Sequence, residues 1–385
     1  MLKREKLLQQ ILSQPTAPFK EFHVASAVIN KLLEANLPFF TDTLGNIIIG
    51  AKSKQEYLQL LKRYSTSSIG PLRIYMAHMD HPGFHGQKWL DRNQLKIKWF
   101  GGSPIQFLEG TKVWIADKQG YLAEGSLSRV KIAASKKGIE SAVVSIPSKD
   151  TRKIEAKRLF GAFKFQDDFW KEKDVLYTKA ADDLVGVFAI LNTALEFAEE
   201  IRKRRVPFIG LLTRAEEVGF IGAIGHFELG WINKQSAMCI SLECSRTIPG
   251  AEIGSGPVVR LGDKFSVFHS AYLHHLSEIA QKTLPSNHQR KLMDGGTCEA
   301  SAATVYNIPA IGISMPLGNY HNQNFGQSLS KGPAPEYVSL RDMEGLLKLC
   351  AAVLNSKIET KDPWRNKRTL FHESLQKFKP LLSRG

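Results

Sequence analysis

The spacing of apolar and polar residues divides most of the chain into helices and apolar strands. Helical spacing predicts helices over about 3–13, 20–35, 183–203, 219–229, 265–283 and 339–355. Short apolar runs stand between helices, including "IYMAH", "PFIGLLT", "SAMCISL" and "AIGISM". Strands that alternate with helices in this way predict an α/β fold, with a mainly parallel central sheet and helices on both faces.

The segment from about 86 to 170 follows a different pattern. Stretches such as "KWLDRNQLKIKWFGG" and "KVWIADKQGYLAEGSL" alternate apolar and polar residues and are separated by turn residues, as in a small antiparallel barrel or sandwich. We therefore predict one discontinuous domain from residues 1–85 and 171–355, with an inserted β domain at 86–170. Residues 356–385 form a basic C-terminal extension that could dock as a helix or stay loose.

Composition narrows the class of protein. Hydrophobic residues make up 43% of the chain and charged residues 23%, and no window approaches the run of about 20 apolar residues that spans a bilayer. The net charge of +15 comes without an RNP-type aromatic motif or zinc-finger spacing, so a basic surface is a better interpretation than nucleic-acid binding. The start lacks the features of a secretory signal, and the four cysteines show no CxxC spacing. We expect a cytoplasmic protein with free thiols that binds neither membranes nor nucleic acids.

Titratable side chains cluster where the predicted strands end, which is where open parallel sheets place their functional crevice. The strand-end residues are His78, Asp80, Glu216, Glu217, Glu243 and His321, and the pair Asp182 and Asp183 stands directly before a helix. Imidazole nitrogen and carboxylate oxygen are ligands that zinc and similar cations take. The sequence therefore predicts a metal site assembled from separate segments.

The positions of these residues suggest distinct roles. Two divalent ions about 3.5–4 Å apart need a negatively charged bridge, and Asp182 is the residue that we expect there. In "HMD", His78 and Asp80 share one side of an extended chain, so Asp80 is expected to hydrogen-bond the outer nitrogen of His78. Neighbouring residues point to opposite sides, which makes Glu217 a candidate ligand and Glu216 a candidate general base.

Each feature alone also has an ordinary structural interpretation. A histidine at a strand end is often a hydrogen-bonded structural residue, an Asp-Asp pair before a helix is often an N-cap, and adjacent glutamates often form a solvated face. Their occurrence together, in the order H-x-D, D-D, E-E, E and H, favours the metal site.

Five short motifs extend this picture to a known family. "AHMDHPGF", "KAADDLVG", "AEEVGFIGA", "GGTCEASA" and "PLGNYHN" resemble the motifs of the TET-type aminopeptidases, the glutamyl and deblocking aminopeptidase family of co-catalytic dizinc peptidases. The resemblance covers nearly the whole chain to about residue 350 and includes the inserted β domain. It implies a zinc-peptidase catalytic domain, with residues 86–170 serving as an oligomerisation domain.

The resemblance also implies a role for each candidate. His78 and Glu243 would hold one ion and Glu217 and His321 the other, with Asp182 bridging and Glu216 as general base. The expected cofactors are two divalent ions, zinc first and cobalt or manganese as alternatives. The family further implies a cis peptide bond between Asp182 and Asp183.

The chain departs from the family pattern at three places. Glu243 stands where the family usually has Asp, and His81 with Pro82 stands where it usually has Glu-Ile. Cys298 stands where it usually has Asp, and a thiolate there would make the enzyme sensitive to oxidation. The next residue, Glu299, is a candidate partner for the α-ammonium group of a substrate, its alternative being a solvated residue at a helix start. We take both residues as candidate substrate contacts.

The expected function is a metal-dependent aminopeptidase that hydrolyses N-terminal peptide bonds. One alternative is a dizinc N-acyl-amino-acid deacylase or carboxypeptidase on a related scaffold, and another is a non-catalytic binding or scaffold protein. The retained ligand set and Glu216 argue against the last of these. The resemblance implies self-association as a dimer or a dodecamer, and the sequence does not choose between them.

Overall fold

The computed structural model describes residues 2–147, 153–234, 236–324, 332–358 and 364–382. Its strands, numbered in chain order, are β1 Phe39–Thr41, β2 Ile47–Ile49, β3 Leu72–His78, β4 Gly83–Trp89, β5 Gln94–Phe100, β6 Lys112–Asp117, β7 Gly120–Ile132, β8 Ile139–Ser145, β9 Phe160–Phe163, β10 Phe169–Glu172, β11 Val175–Thr178, β12 Phe208–Thr213, β13 Ala237–Arg246, β14 Val258–Gly262, β15 Gln289–Leu292, β16 Ala310–Leu317 and β17 Glu336–Ser339.

The helices alternate with the strands of the main sheet, as the sequence predicts. They are α1 Leu2–Leu12, α2 Phe22–Glu34, α3 Lys54–Tyr64, α4 Leu184–Glu196, α5 Ala198–Arg202, α6 Ile221–Glu228, α7 Ser270–Thr283, α8 Glu299–Val305, α9 Leu340–Asn355 and α10 Arg365–Leu382. Helix α4 is the most deeply placed: it is apolar on all sides and buried along nearly its whole length, because it packs on β3, β12 and β13 and also against α1 and α9.

An eight-stranded sheet forms the centre, in the order β1-β2-β12-β3-β13-β16-β14-β15. The four inner strands β12, β3, β13 and β16 are parallel, so their carboxyl ends lie at one edge. The register pairs Thr213 with His78 at that edge. Inner strands buried on both faces need apolar side chains throughout, and β3, β12 and β16 are buried at every position. The predicted α/β fold is confirmed.

Strands β4 to β9 close a separate barrel in the order β4-β5-β8-β7-β6-β9. Alternate side chains of these strands, among them Leu95, Ile97, Val113 and Ile115, fill its interior. The barrel begins at Gly83 rather than at the predicted position 86, and its last strand ends at Phe163. An antiparallel barrel therefore forms where alternation predicted one, although its first strand begins before that segment.

A small sheet of β10, β11 and β17 connects two parts of the main domain. Strand β17 pairs with β11, so that Glu336 lies opposite Thr178. The residue after Glu336 is Tyr337, which exchanges two backbone hydrogen bonds with Gly318, the residue directly after β16. Gly318 has to be a glycine, since a Cβ atom there would lie 2.0 Å from the Tyr337 ring.

The C-terminal extension contains α10, a helix whose described side chains are almost all exposed, so it forms a helix without docking along its length. The Trp364 ring stacks on His274 of α7, with centroids 4.9 Å apart, whereas Phe371 stays 71% exposed. Among the described helices, none combines the length and the apolar character that crossing a membrane requires.

Candidate metal centre

The loop after β12 brings Glu216 and Glu217 over the edge of the main sheet. Ala215 adopts a left-handed conformation (φ 53°) and turns the chain there. The buried carboxylate of Glu21 holds this turn, because it accepts hydrogen bonds from the Ala215 amide at 3.1 Å and from the Arg214 guanidinium at 2.8 Å. The two carboxylates therefore occupy fixed positions beside His78.

Asp182 lies between the two histidines that the sequence singles out. Its Oδ1 atom is 3.5 Å from His78 Nε2, and its Oδ2 atom is 3.6 Å from His321 Nε2. Glu243 Oε1 lies 3.8 Å from His78 Nε2, and Glu217 Oε2 lies 3.1 Å from His321 Nε2. The structure thus brings all five predicted ligands together, with a different Asp182 oxygen facing each histidine.

These residues form two groups with the geometry of ion sites. One contains His78, Asp182 and Glu243, the other Asp182, Glu217 and His321, and within each group the candidate ligand atoms lie within 4.8 Å of one another. Four of the atoms that could bind an ion are buried with no hydrogen-bond partner among the described residues: His78 Nε2, Asp182 Oδ1, Glu217 Oε1 and Glu243 Oε2. Buried polar atoms ordinarily have partners. A nitrogen and three carboxylate oxygens left in this way fit divalent cations.

Glu216 also approaches His78, with Oε2 3.7 Å from Nε2, and a third possible group combines both residues with Glu217. Distance alone therefore does not separate Glu216 from the ligands. Burial, reinforced by the charges of Glu243 and Glu217, raises the pKa of Glu216 well above its ordinary value, against the opposing effect of His78.

Asp80 does not make the contact that the sequence predicts. Its carboxylate Oδ1 lies 3.7 Å from His78 Nδ1, whereas its backbone carbonyl accepts from that nitrogen at 3.1 Å. The carboxylate instead accepts the amides of Glu216 at 3.0 Å and Glu217 at 3.2 Å. The turn after β12 directs both amides at this carboxylate, so Asp80 orients the Glu216–Glu217 segment, and its own carbonyl orients the imidazole.

The charge of the cluster depends on whether His78 and His321 are protonated. Burial lowers the pKa of His78, but Glu216, Asp182 and Glu243 outweigh it and raise that pKa well above the ordinary value. For His321, burial acts downward and Glu217 and Asp182 act upward, with a net rise of the pKa to about 9. A divalent cation has to displace these protons, so binding should weaken as the pH falls.

The peptide bond between Asp182 and Asp183 is cis, as the family resemblance implies. Asp183 caps α4, since its carboxylate accepts the Gly186 amide at 3.2 Å. Gly186 leaves room for this cap, because a Cβ atom there would lie 2.4 Å from Asp183 Oδ2. The N-cap interpretation is therefore right for Asp183, and Asp182 is the member of the pair that faces the cluster.

The proposed thiolate at Cys298 is wrong. Its side chain is fully buried, and burial raises the pKa of the thiol to about 12, so the thiol stays protonated. Its Sγ atom lies 3.9 Å from Asp263 Oδ2, at the N-cap of α8. The position of Cys298 two residues after the pair Gly295 and Gly296 could not reveal this burial, because the burial depends on how α8 packs.

Glu299 is buried rather than solvated. Only 1% of it is exposed, and the side chain of Thr213 lies close enough to interact with its carboxyl group. Burial raises the pKa of this carboxyl group to about 8, with His78 acting in the opposite direction. Neither Glu299 nor Cys298 is among the residues that line the neighbouring cleft.

That cleft has a volume of about 910 Å³ and separates the barrel from the sheet edge. Glu217, Glu243 and His321 open into it from the sheet side. Its barrel side includes Gly102, where a Cβ atom would lie 2.3 Å from His321 Nδ1, so only a glycine allows this approach. Four cationic residues also line the cleft: Lys136, Lys137, Arg246 and Arg260.

Sequence reasoning missed three buried residues around the cluster. Glu336 accepts the amides of Ala181, Asp182 and His321. The His81 Nδ1 atom lies 2.6 Å from the backbone oxygen of Asp182, and Arg260 lies beside Glu243 and Cys298. His81 carried a signal, because it follows the H-x-D motif directly. Glu336 and Arg260 reach the site only through the pairing of distant strands.

Comparisons with known proteins agree with this fold. The model of the M42 glutamyl aminopeptidase family matches residues 60–326, which is more than half of the chain. No curated protein matches.

Among solved structures, a TET aminopeptidase from the marine sediment archaeon Thaumarchaeota archaeon superposes with a TM-score of 0.72 and 18% identity, covering 94% of this chain and 98% of the other. The TET1 peptidase of Pyrococcus horikoshii, described as assembling into a tetrahedron or a large octahedral shell, has a TM-score of 0.70 and 20% identity, covering 91% and 99%. An aminopeptidase from Desulfurococcus kamchatkensis has a TM-score of 0.69 and 20% identity, covering 91% and 94%. At these identities the superpositions establish the fold, and the family model establishes the family: the chain belongs to the M42 glutamyl aminopeptidases.

Proposed function

We propose that the protein is an aminopeptidase that uses two divalent ions to hydrolyse the N-terminal peptide bond of peptides. His78, Asp182 and Glu243 would hold one ion, and Asp182, Glu217 and His321 the other. The observation that carries this assignment is the pair of Asp182 contacts, one oxygen 3.5 Å from His78 and the other 3.6 Å from His321. Zinc is the first choice for nitrogen and carboxylate ligands, with cobalt and manganese as alternatives.

Divalent ions at such a site supply Lewis acidity toward a peptide carbonyl and lower the pKa of water. Glu216 is the proposed general base. Asp80 fixes its backbone by accepting the Glu216 amide at 3.0 Å, and the Oε2 atom of Glu216 lies 3.7 Å from His78 Nε2, beside the proposed ions. A carboxylate held at this position can accept a proton from water bound there. The same carboxyl group then returns the proton to the leaving amine.

Glu299 is our candidate partner for the α-ammonium group of the substrate. It begins α8, and its charge interacts with Glu243 and His78. An ionised carboxyl group that is buried to this extent would gain from a cationic partner. Because it does not line the cleft, we expect a substrate ammonium to approach it past Glu243.

The test compares the wild type with Glu216→Gln across free-N-terminal aminoacyl amides, together with the metal content of both proteins. We expect both to hold about two ions and the variant to lose at least about a hundredfold in rate, the magnitude of a general base. A variant that keeps its rate would remove Glu216 from the mechanism. A wild type that binds no metal would overturn the ligand assignment.

A second candidate is an N-acyl-amino-acid deacylase or carboxypeptidase. Lys136, Lys137, Arg246 and Arg260 on the cleft wall favour it, since such substrates present a free carboxylate. Turnover of peptides that is lost on N-acetylation would support the aminopeptidase. Turnover of N-acyl amino acids by a protein that leaves free-N-terminal peptides intact would support the deacylase.

We further propose that the chain comprises a catalytic domain of residues 1–85 and 171–355, an oligomerisation domain at 86–170 and a C-terminal extension at 356–385. The dodecamer and shell structures of the TET relatives support self-association. Light scattering coupled to size-exclusion chromatography separates a monomer, a dimer and a dodecamer.

A further inference from the structure

One buried carboxylate joins two of the segments that carry the candidate ligands. The Oε2 atom of Glu336 accepts the Ala181 amide at 2.7 Å and the Asp182 amide at 3.0 Å, and its Oε1 atom accepts the His321 amide at 2.8 Å. Both oxygens are therefore occupied, and each binds a different segment of the chain. Glu336 is completely buried, so water does not compete for these bonds.

The surrounding backbone explains why Glu336 occupies this position. Strand β17 pairs with β11, which leads into Asp182, and Tyr337 binds the Gly318 backbone, which leads into His321. Glu336 therefore stands at the point where both segments leave regular structure. In the described backbone, the pairing of β17 with β11 ends at Thr178, and after Gly318 the next bridge joins Gln323 to Pro333, beyond His321. Between these points the Glu336 carboxylate binds the amides of Asp182 and His321.

A second set of contacts reinforces the same position. The His81 ring lies between the two segments, with Nδ1 2.6 Å from the Asp182 carbonyl oxygen and Nε2 3.3 Å from Asn322 Oδ1. The Nε2 atom is also 4.0 Å from Glu336 Oε1. Thus the Glu336 carboxylate and the His81 imidazole both contact the chain around Asp182 and around His321.

We propose that Glu336 is a positioning residue that fixes the segments of Asp182 and His321 relative to each other and thereby sets the affinity of one of the two ions. This inference rests on the proposed function. Glu336 binds the segments of two ligands in the group Asp182, Glu217 and His321. In the group His78, Asp182 and Glu243 it binds only one, so its loss weakens the first group more.

The test is a titration of metal-free protein with Zn²⁺ against a competing chelator. Glu336→Gln keeps the size of the side chain but places an amide N–H against backbone N–H donors, so at least one segment is released. We expect the wild type to bind two ions and the variant to bind one ion normally and the other about 10–100-fold more weakly. Peptidase activity lost at limiting Zn²⁺ should return with excess Zn²⁺.

Asp342→Asn provides a matched control. Asp342 is a buried carboxylate that also accepts two backbone amides from a distant segment, those of Gly254 at 2.6 Å and Gly256 at 2.7 Å. This variant should lower the melting temperature of the metal-free protein without changing either affinity for Zn²⁺. If Glu336→Gln does not fold, Glu336→Asp retains the charge with one methylene fewer and should weaken the same ion by a smaller factor.

The outcomes separate the two proposals. Equal weakening of both ions in the Glu336 variants, or no weakening, would overturn the positioning role. A wild type that binds no Zn²⁺ would instead overturn the proposed function on which that role rests.

Discussion

The edge of the main sheet and the interior of the barrel bury very different side chains. The barrel encloses apolar residues such as Leu95, Ile97 and Val144. The sheet edge buries carboxylates and imidazoles, several of them without a hydrogen-bond partner in the described part of the chain. Burying ionised groups costs free energy unless something compensates for it, whereas burying apolar groups stabilises the fold. The difference indicates that the barrel serves stability and that the edge serves a ligand of opposite charge.

The largest effect should come from the residue that both ion groups share. Asp182→Asn keeps the shape of the side chain but removes the charge that faces His78 and His321. We expect the loss of both tightly held ions and at least about a thousandfold loss of peptidase activity, more than the loss of a general base alone. Metal analysis after gel filtration and a rate assay check this.

The neighbouring Asp183→Asn is the matched control, because that side chain caps α4 without belonging to either ion group. It should retain both ions at a reduced stability. If Asp182→Asn keeps two ions, Asp182 does not bridge them. A shared cation site would then no longer explain why the sheet edge buries carboxylates and the barrel does not.

The sequence identified the residues of the His/Asp/Glu cluster better than it identified the residues that support them. Parallel inner strands bring their carboxyl ends together, so His78, Glu217, Glu243 and His321 could be selected before any geometry was known. Asp182 was selected from the Asp-Asp pair that stands before a helix. Glu336 could not be selected, because its role depends on β17 pairing with β11, which lies far away in the chain. The Asp80 contact was assigned wrongly for a related reason: alternation along a strand does not show which amides a carboxylate will meet.

The secondary-structure predictions show the same contrast between elements with a local sequence pattern and elements that depend on distant neighbours. Helices with a clear period, such as α2 and α9, were predicted to within a few residues. Helix α3 was not predicted, although its buried residues Tyr57, Leu60, Leu61 and Tyr64 repeat with a helical period. The short strands β14, β15 and β17, which lie at a sheet edge or next to one, have weak patterns of their own and form through their neighbours.

A substitution inside the barrel tests the other half of the comparison. Ile97→Ala removes a fully buried side chain from the barrel core and should cost about 2–5 kcal/mol of unfolding free energy in that region. Since Ile97 lies in the core cluster separate from that of the sheet, the affinity for Zn²⁺ should stay unchanged. Thermal or denaturant unfolding and a metal titration on the same sample check both statements. A weaker affinity for Zn²⁺ would show that the barrel also shapes the edge.

A further prediction concerns the pH dependence that buried carboxyl groups give to the metal-free protein. Burial raises the pKa of Glu299 to about 8, above the ordinary value of 4.5, so the folded state holds a proton that the unfolded state releases. The stability that Glu299 contributes is complete below the lower value and is lost as the pH rises toward about 8. The stability of the wild-type protein, freed of metal by a chelator, should therefore fall as the pH rises toward about 8.

Glu299→Gln should make that fall shallower, because the amide mimics the protonated acid at every pH. Glu140→Gln, at a residue whose side chain is 47% exposed, is the control and should leave the slope unchanged. Melting temperatures at several pH values between about 5 and 8 give both slopes. Parallel curves for the wild type and Glu299→Gln would mean that Glu299 stays ionised when folded and would contradict the raised pKa. A shallower curve would mean that the site releases a proton when a cationic substrate binds.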